Sequence, residues 1–197
     1  MKIEEIFEIC KEFGIHSPMD GVFEFSLGEG KPSLKILPIL SWYHPSFAND
    51  KLKDESLVNI QYQRGWLDFR TTNWGEENYF SISNYFLEKS REIIGPIINR
   101  ENETIITVSH FLPRFELLPK VSIKMKPTIG MVVGCKELDE LIREYGATIH
   151  ACGHTHIDHD REIEGIRYVQ HALGHPGERG SWWKSDAPYN PKHIFSL

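Results

Sequence analysis

The chain is 197 residues long, 40% hydrophobic and 12% aromatic, enough to bury a sizeable core and within the usual range for one domain, taken here as 1–197. A formal net charge of -6 with no basic block excludes a non-specific nucleic-acid binder and an anchor on anionic membrane, so the expected partner is a small molecule or another protein. No stretch reaches the roughly 18 apolar residues of a membrane span, and Met1-Lys2-Ile3-Glu4-Glu5 is not a signal peptide, so a soluble, cytoplasmic protein is expected.

Ile3, Ile6, Phe7, Cys10 and Phe13 recur at helical spacing, which predicts a first helix with one buried face, closed by a left-handed Gly14. Residues 22–27 and 34–40 read as strands joined by the turn Gly28-Glu29-Gly30-Lys31-Pro32. The second is almost continuously aliphatic, as strands buried on both faces are. From 41 to 78 the pattern dissolves into a polar and aromatic stretch holding Trp42, Tyr43, His44, Phe47, Trp66 and Trp74. A loop of that length inside a compact domain is uncommon and often lines a site.

Tyr79, Phe80, Ile82, Tyr85 and Phe86 restart a helical stripe, which Gly95-Pro96 should end or kink. The β-branched run 104–108 and the run 129–133 predict strands, and 137–145 predicts a helix closed by Gly146. Residues 148–152 form a further strand; 161–163 and 167–169 flank Glu164-Gly165-Ile166 as a hairpin with glycine at the turn. The alternation of strands and helices points to the α/β class. It also sets His110 just past one strand end and Gly153-His154-Thr155-His156 just past another, where such folds gather their chemistry. Cys10, Cys135 and Cys152 are odd in number and lack a CxxC pair, so reduced, buried thiols are expected in place of a disulfide or a cysteine zinc knuckle.

Ten histidines are present, eight of them from His110 onward, and His150, His154, His156 and His159 fall within ten residues beside Asp158 and Asp160. Neutral imidazole is the commonest metal ligand, and a His-x-His pair leaving a strand can aim two rings into one cavity. An isolated pair is equally compatible with a plain surface. A preceding strand, a glycine permitting a tight exit, and a second strand-end histidine at 110 favour the metal reading. His150 alternates out of phase with the buried positions of its strand, and a structural role is expected for it. His159 and Asp160 are expected to be solvated. Asp158 either supports a ligand histidine or is a hairpin-flanking charge.

Thr107-Val108-Ser109-His110-Phe111-Leu112-Pro113-Arg114, followed by Ala151-Cys152-Gly153-His154-Thr155-His156, resembles the last two blocks of the calcineurin-like metallophosphoesterase family. The segments 39–44 and 168–179 resemble a branch of the same family, so the likeness covers most of the chain. It implies two mixed sheets packed face to face with helices outside. It also implies hydrolysis of a phosphoester by water held between two divalent ions, Mn, Zn or Fe, with His110 and His154 on one ion and His156 on the other. The family's Asp-x-His, Gly-Asp and Gly-Asn-His blocks do not occur here. The chain is therefore expected to correspond to the C-terminal half of such a domain, binding metal weakly or in part and hydrolysing weakly or not at all alone. Self-association or a complementing N-terminal segment is the expected protein partner.

His44 is a candidate contact for a substrate phosphate, or a packed side chain; Arg179 is a candidate phosphate fork, or a surface charge. Trp182 and Trp183 cover either an apolar edge or a partner surface. His171 and His175 have no assigned role. A non-catalytic binding or regulatory module of the same fold is the alternative to the hydrolase, and a structural single-zinc domain is a third reading.

Overall fold

The computed structural model describes residues 2–26, 28–29, 31, 33–48, 67–72, 79–97, 103–119, 127–178 and 190–196. Strands β1 (Phe23–Ser26), β2 (Ser33–Pro38), β3 (Glu103–Val108), β4 (Ile149–Ala151), β5 (His159–Ile163) and β6 (Ile166–Gln170) form one sheet in the order β1-β2-β3-β4-β6-β5. The inner pairs β2/β3, β3/β4 and β4/β6 are parallel, while β1 and β5 are antiparallel edges. Helices α1 (Lys2–Glu12), α2 (Leu67–Thr71), α3 (Tyr79–Ile94) and α4 (Glu137–Glu144) accompany it. The α/β class is as expected, but the two-sheet sandwich is not: among the described residues every named strand belongs to this single sheet.

Parallel strands are joined by crossovers that lay helices over the sheet, and their side chains alternate between two covered faces. Leu37, Ile105, Ile166 and Tyr168 join the main core with Leu87 and Ile94 of α3 and Leu138, Leu141 and Ile142 of α4. The register carries the opposite phase, Ile106, Ile149 and Val169, to the other face, where Ile194 and Phe195 pack against it. Arg167 Nη1 donates to Ile194 O at 2.9 Å, and Lys192 pairs with Asp160 at 2.8 Å, fastening that segment over the sheet.

Helix α4 is amphipathic by spacing, with acids Glu137, Asp139 and Glu140 in its first turn, where they complement the helix dipole. Its apolar stripe is fully buried, each leucine contributing about 1.5–3 kcal/mol gross. Gly146 ends it at φ 69, as expected from a left-handed cap. Helix α3 buries Ile82, Phe86, Leu87 and Ile94, and its buried Ser90 hydroxyl accepts from Leu40 N at 2.9 Å, tying the helix to the chain leaving β2.

Two local expectations are corrected. Among the residues whose burial is described, the apolar stripe of α1 is not a buried face: Ile6 and Phe13 are 55% and 75% exposed, as is Ile9 beside them at 53%, and Phe7 and Cys10 are half-buried. Residues 129–133 are not a strand; a 3-10 turn spans Pro127–Met131, and pairing is limited to one bridge between Leu112 and Gly134. Val132 and Val133 are nonetheless buried, and burial alone produces the same apolar run as a strand. Gly134 is required there by close approach: a Cβ would lie 2.2 Å from Leu112 O and 2.5 Å from the Phe47 ring. All three cysteines are free. No helix among the described residues is long and apolar enough to cross a membrane.

Candidate functional site

The parallel strands β3, β4 and β6 end side by side, so the segments that leave them share one end of the sheet. Pairing runs one step further, with Ser109 N donating to Ala151 O, Cys152 N to Val169 O and Gly153 N to His110 O, at 2.9–3.0 Å. This ladder brings His110, on the β3 exit, against the β4 exit. Gly153 is not what makes the exit tight, since a Cβ there would meet only ordinary contacts. The turn is made by the histidines themselves: His154 (φ 67) and His156 (φ 57) both occupy the left-handed region, around Thr155, whose N–H donates to Gly153 O at 2.8 Å. For residues with a Cβ this conformation costs about 1–2 kcal/mol each, and such strain concentrates at sites.

His110 Nε2 lies 3.1 Å from His154 Nδ1, and His154 Nε2 lies 3.0 Å from Val132 O. A carbonyl only accepts, so in the absence of another ligand Nε2–H of His154 donates to Val132, and Nδ1 of His154 accepts from Nε2–H of His110. Phe111 packs against both rings, with centroids 4.8 Å from His110 and 4.6 Å from His154, and is itself backed by Trp42 and Tyr43 at 5.3 Å. This apolar wall explains the electrostatics. Burial, and secondarily the neighbouring His110, pushes His154 down to about 4, while burial and His156 lower His110. These shifts favour the neutral form of both rings, in which each imidazole keeps one unprotonated nitrogen.

His156 is close enough to act electrostatically on both rings, and it is held from the other side. Its Nδ1 contacts both carboxylate oxygens of Glu178, at 3.0 and 2.9 Å. Asp68 of α2 also acts on His110 and His154, opposing the depression of both. Glu178 and Asp68 were not legible as site residues: one lies in a short 3-10 turn, the other in a polar stretch without period, and neither spacing sets it apart from a surface acid. Among the described residues, no group of three or more His, Cys, Asp or Glu side chains is arranged to hold a metal ion.

The remaining candidates fall elsewhere. His44 Nδ1 caps the 3-10 turn Pro45–Phe47, accepting from Ser46 N at 3.2 Å and contacting Ser46 Oγ at 2.7 Å. Arg179, Trp182 and Trp183 lie outside the described residues. Asp158 supports a histidine, though not one of the three: its Oδ2 is 3.2 Å from His171 Nδ1. His159 is not solvated, whereas Asp160 is exposed, as expected. His159 is half-buried with Nε2 3.6 Å from Cys152 Sγ, and Asp160 pairs with Arg167 and Lys192, which hold its carboxyl well below the usual range. Burial pushes the Cys152 thiol up to about 12, which disfavours the reactive thiolate.

His150 is structural, but it is the core that holds it. It is fully buried, its Nε2 3.1 Å from Ser109 Oγ and its Nδ1 2.9 Å from Thr107 Oγ1. Ser109 spends its hydroxyl proton on Phe111 O at 2.9 Å, so it accepts from His150. Alternation does not separate inward from outward positions on β4, because Ile149 and His150, on opposite faces, are both buried.

No family model matches the chain, and comparison with curated proteins finds no match. Among solved structures it is similar to the phosphopantetheinyl hydrolase of Mycobacterium tuberculosis, with a TM-score of 0.64 and 15% identity, over 98% of this chain and 69% of that one. At that identity the likeness is one of fold. The expectation of a calcineurin-like metallophosphoesterase is therefore corrected: no family model supports it, and the fold likeness is to a protein described as a phosphopantetheinyl hydrolase. Two histidine blocks at strand ends are too short a signature to establish a family, because His-x-His beyond a strand is a donor arrangement that unrelated sites share.

Proposed function

We propose that the chain is a hydrolase domain acting on a phosphate ester, with His110, His154 and His156 as donors to divalent metal. The observation that carries this reading is the His110–His154 pair: two neutral imidazole nitrogens are held 3.1 Å apart at the C-terminal ends of parallel strands. Two nitrogens on one tetrahedral ion at about 2.0 Å are separated by about 3.3 Å, so the pair fits that donor geometry. The likeness in fold to a phosphopantetheinyl hydrolase supports the hydrolytic class.

The fit extends to the pair alone: the described residues do not assemble a third donor with it, and His156 is held beside it by Glu178. The remaining ligands would come from outside those residues or from another chain. A divalent ion, when bound, supplies a Lewis acid that lowers the pKa of water and offsets phosphoryl charge. This chain's own contribution is orientation. The Phe111, Trp42 and Tyr43 wall desolvates His110 and His154 and disfavours their charged forms, Val132 O fixes the plane of His154, and the Glu178 carboxylate restrains His156.

Zinc or manganese titration of the chain beside His154→Ala, followed by assay on an aryl phosphate, tests this. Saturable uptake lost in the variant is expected, with hydrolysis near background for this chain by itself, since the donor set is partial. No uptake by the wild type would sink the reading and favour a non-catalytic binding module. One ion per chain with unfolding by chelator would instead mark a structural zinc domain.

A further inference from the structure

We infer that Glu178 is a positioning residue: its carboxylate clamps the Nδ1 edge of His156 so that Nε2 is the nitrogen this ring offers to a ligand. An ionised carboxylate has no proton to give, so at 2.9–3.0 Å the hydrogen must sit on Nδ1 of His156 and the lone pair of the neutral ring on Nε2. Free histidine prefers the opposite tautomer, so the clamp changes what the ring presents.

The clamp is built. Glu178 closes the 3-10 turn Pro176–Glu178, and its Oε2 also accepts from His175 N at 2.7 Å, which fixes the carboxylate relative to its own backbone. His175 completes the turn by accepting Gly177 N at Nδ1, 3.2 Å away. A second imidazole–carboxylate contact joins the same two segments in the reverse order, with Asp158 Oδ2 3.2 Å from His171 Nδ1 and Ala172 N donating to Asp158 Oδ1 at 3.0 Å. Each segment thus contributes one imidazole and one carboxylate. The His156 side chain is 42% exposed and its backbone is left-handed, so packing alone does not hold the ring. What Nε2 meets rests on the hydrolase-site reading; the tautomer does not.

The experiment is a long-range 1H–15N correlation spectrum of the metal-free chain in alkaline buffer, where free imidazoles are neutral, with His156 assigned through His156→Gln. Wild type should show a protonated Nδ1 and an unprotonated Nε2. Glu178→Gln, whose amide oxygen still accepts, should keep that pattern, and Glu178→Leu should revert to the Nε2–H form. Zinc affinity should fall about 10–100-fold in Glu178→Leu, the usual effect of losing a carboxylate behind a ligand histidine, and recover in Glu178→Gln. A wild-type spectrum with the proton on Nε2 overturns the inference whether or not the variants fold, as does an unchanged spectrum in a folded Glu178→Leu. The Nδ1–H form without any zinc uptake would uphold the clamp and sink the hydrolase reading, so the two fail separately.

Discussion

His150 makes the acid stability of this protein calculable. Burial, and secondarily the neighbouring His159, pushes its pKa from the ordinary value near 6.5 down to about 3, and both ring nitrogens meet hydroxyls that satisfy the neutral form. In the unfolded chain the ring titrates normally. Below about pH 6.5 the unfolded state therefore binds a proton that the native state refuses. Stability is fully present above that value and is lost as pH falls through the window, by about 1.4 kcal/mol per pH unit. At about pH 4.5 the loss through this one group is about 2.8 kcal/mol, and it saturates near 5 kcal/mol below about pH 3. Either figure is a large part of the roughly 5–15 kcal/mol that holds a typical domain together. His150→Gln keeps a donor toward Ser109 and an acceptor toward Thr107 but cannot titrate. It should cost about 1–3 kcal/mol at neutral pH from imperfect hydrogen bonding. Urea unfolding of both proteins in chelator-treated buffer, from about pH 7.5 to 4.5, is the assay. The gap should close by about 2.8 kcal/mol over that range, and a gap that stays constant would refute the argument, since every other titrating group is shared.

Gly134→Ala should destabilise by at least about 1–3 kcal/mol, since its Cβ cannot clear Leu112 O and Phe47 without moving backbone, and thermal unfolding reads this directly. Leu141→Ala should cost about 2–5 kcal/mol by the same measurement, because the residue is fully buried against the sheet. The exposed stripe Ile6, Ile9 and Phe13 should drive self-association, so that Ile9→Glu lowers the apparent mass in light scattering while leaving the unfolding temperature unchanged; identical scattering from both proteins would remove that expectation. His156→Ala should relieve a left-handed side chain only in part, because alanine still carries a Cβ, so any stability gain should stay below that of His156→Gly in parallel melts.

Much of the fold is legible in the chain because it is written in local chemistry. The period of Leu138, Leu141 and Ile142 with Gly146 behind them, the aliphatic run of β2 and the Glu164-Gly165 turn each bound an element by rules that act within a few residues. That His110 and the His154-x-His156 pair lie just past strand ends follows from the same reasoning. Tertiary structure decided the rest. Whether 129–133 pairs as a strand, whether α1 buries its stripe, and which way His150 faces depend on which surface covers each residue, and an apolar run is the same string whether it packs as strand or as loop. The carboxylates at the site are the clearest case. Glu178 reaches His156 from 22 residues away, across β5 and β6, and Asp68 acts on His110 across α3 and β3, separations that no local period encodes. Only the parallel sheet, by lining up the ends of β3, β4 and β6, makes neighbours of groups that the sequence holds apart.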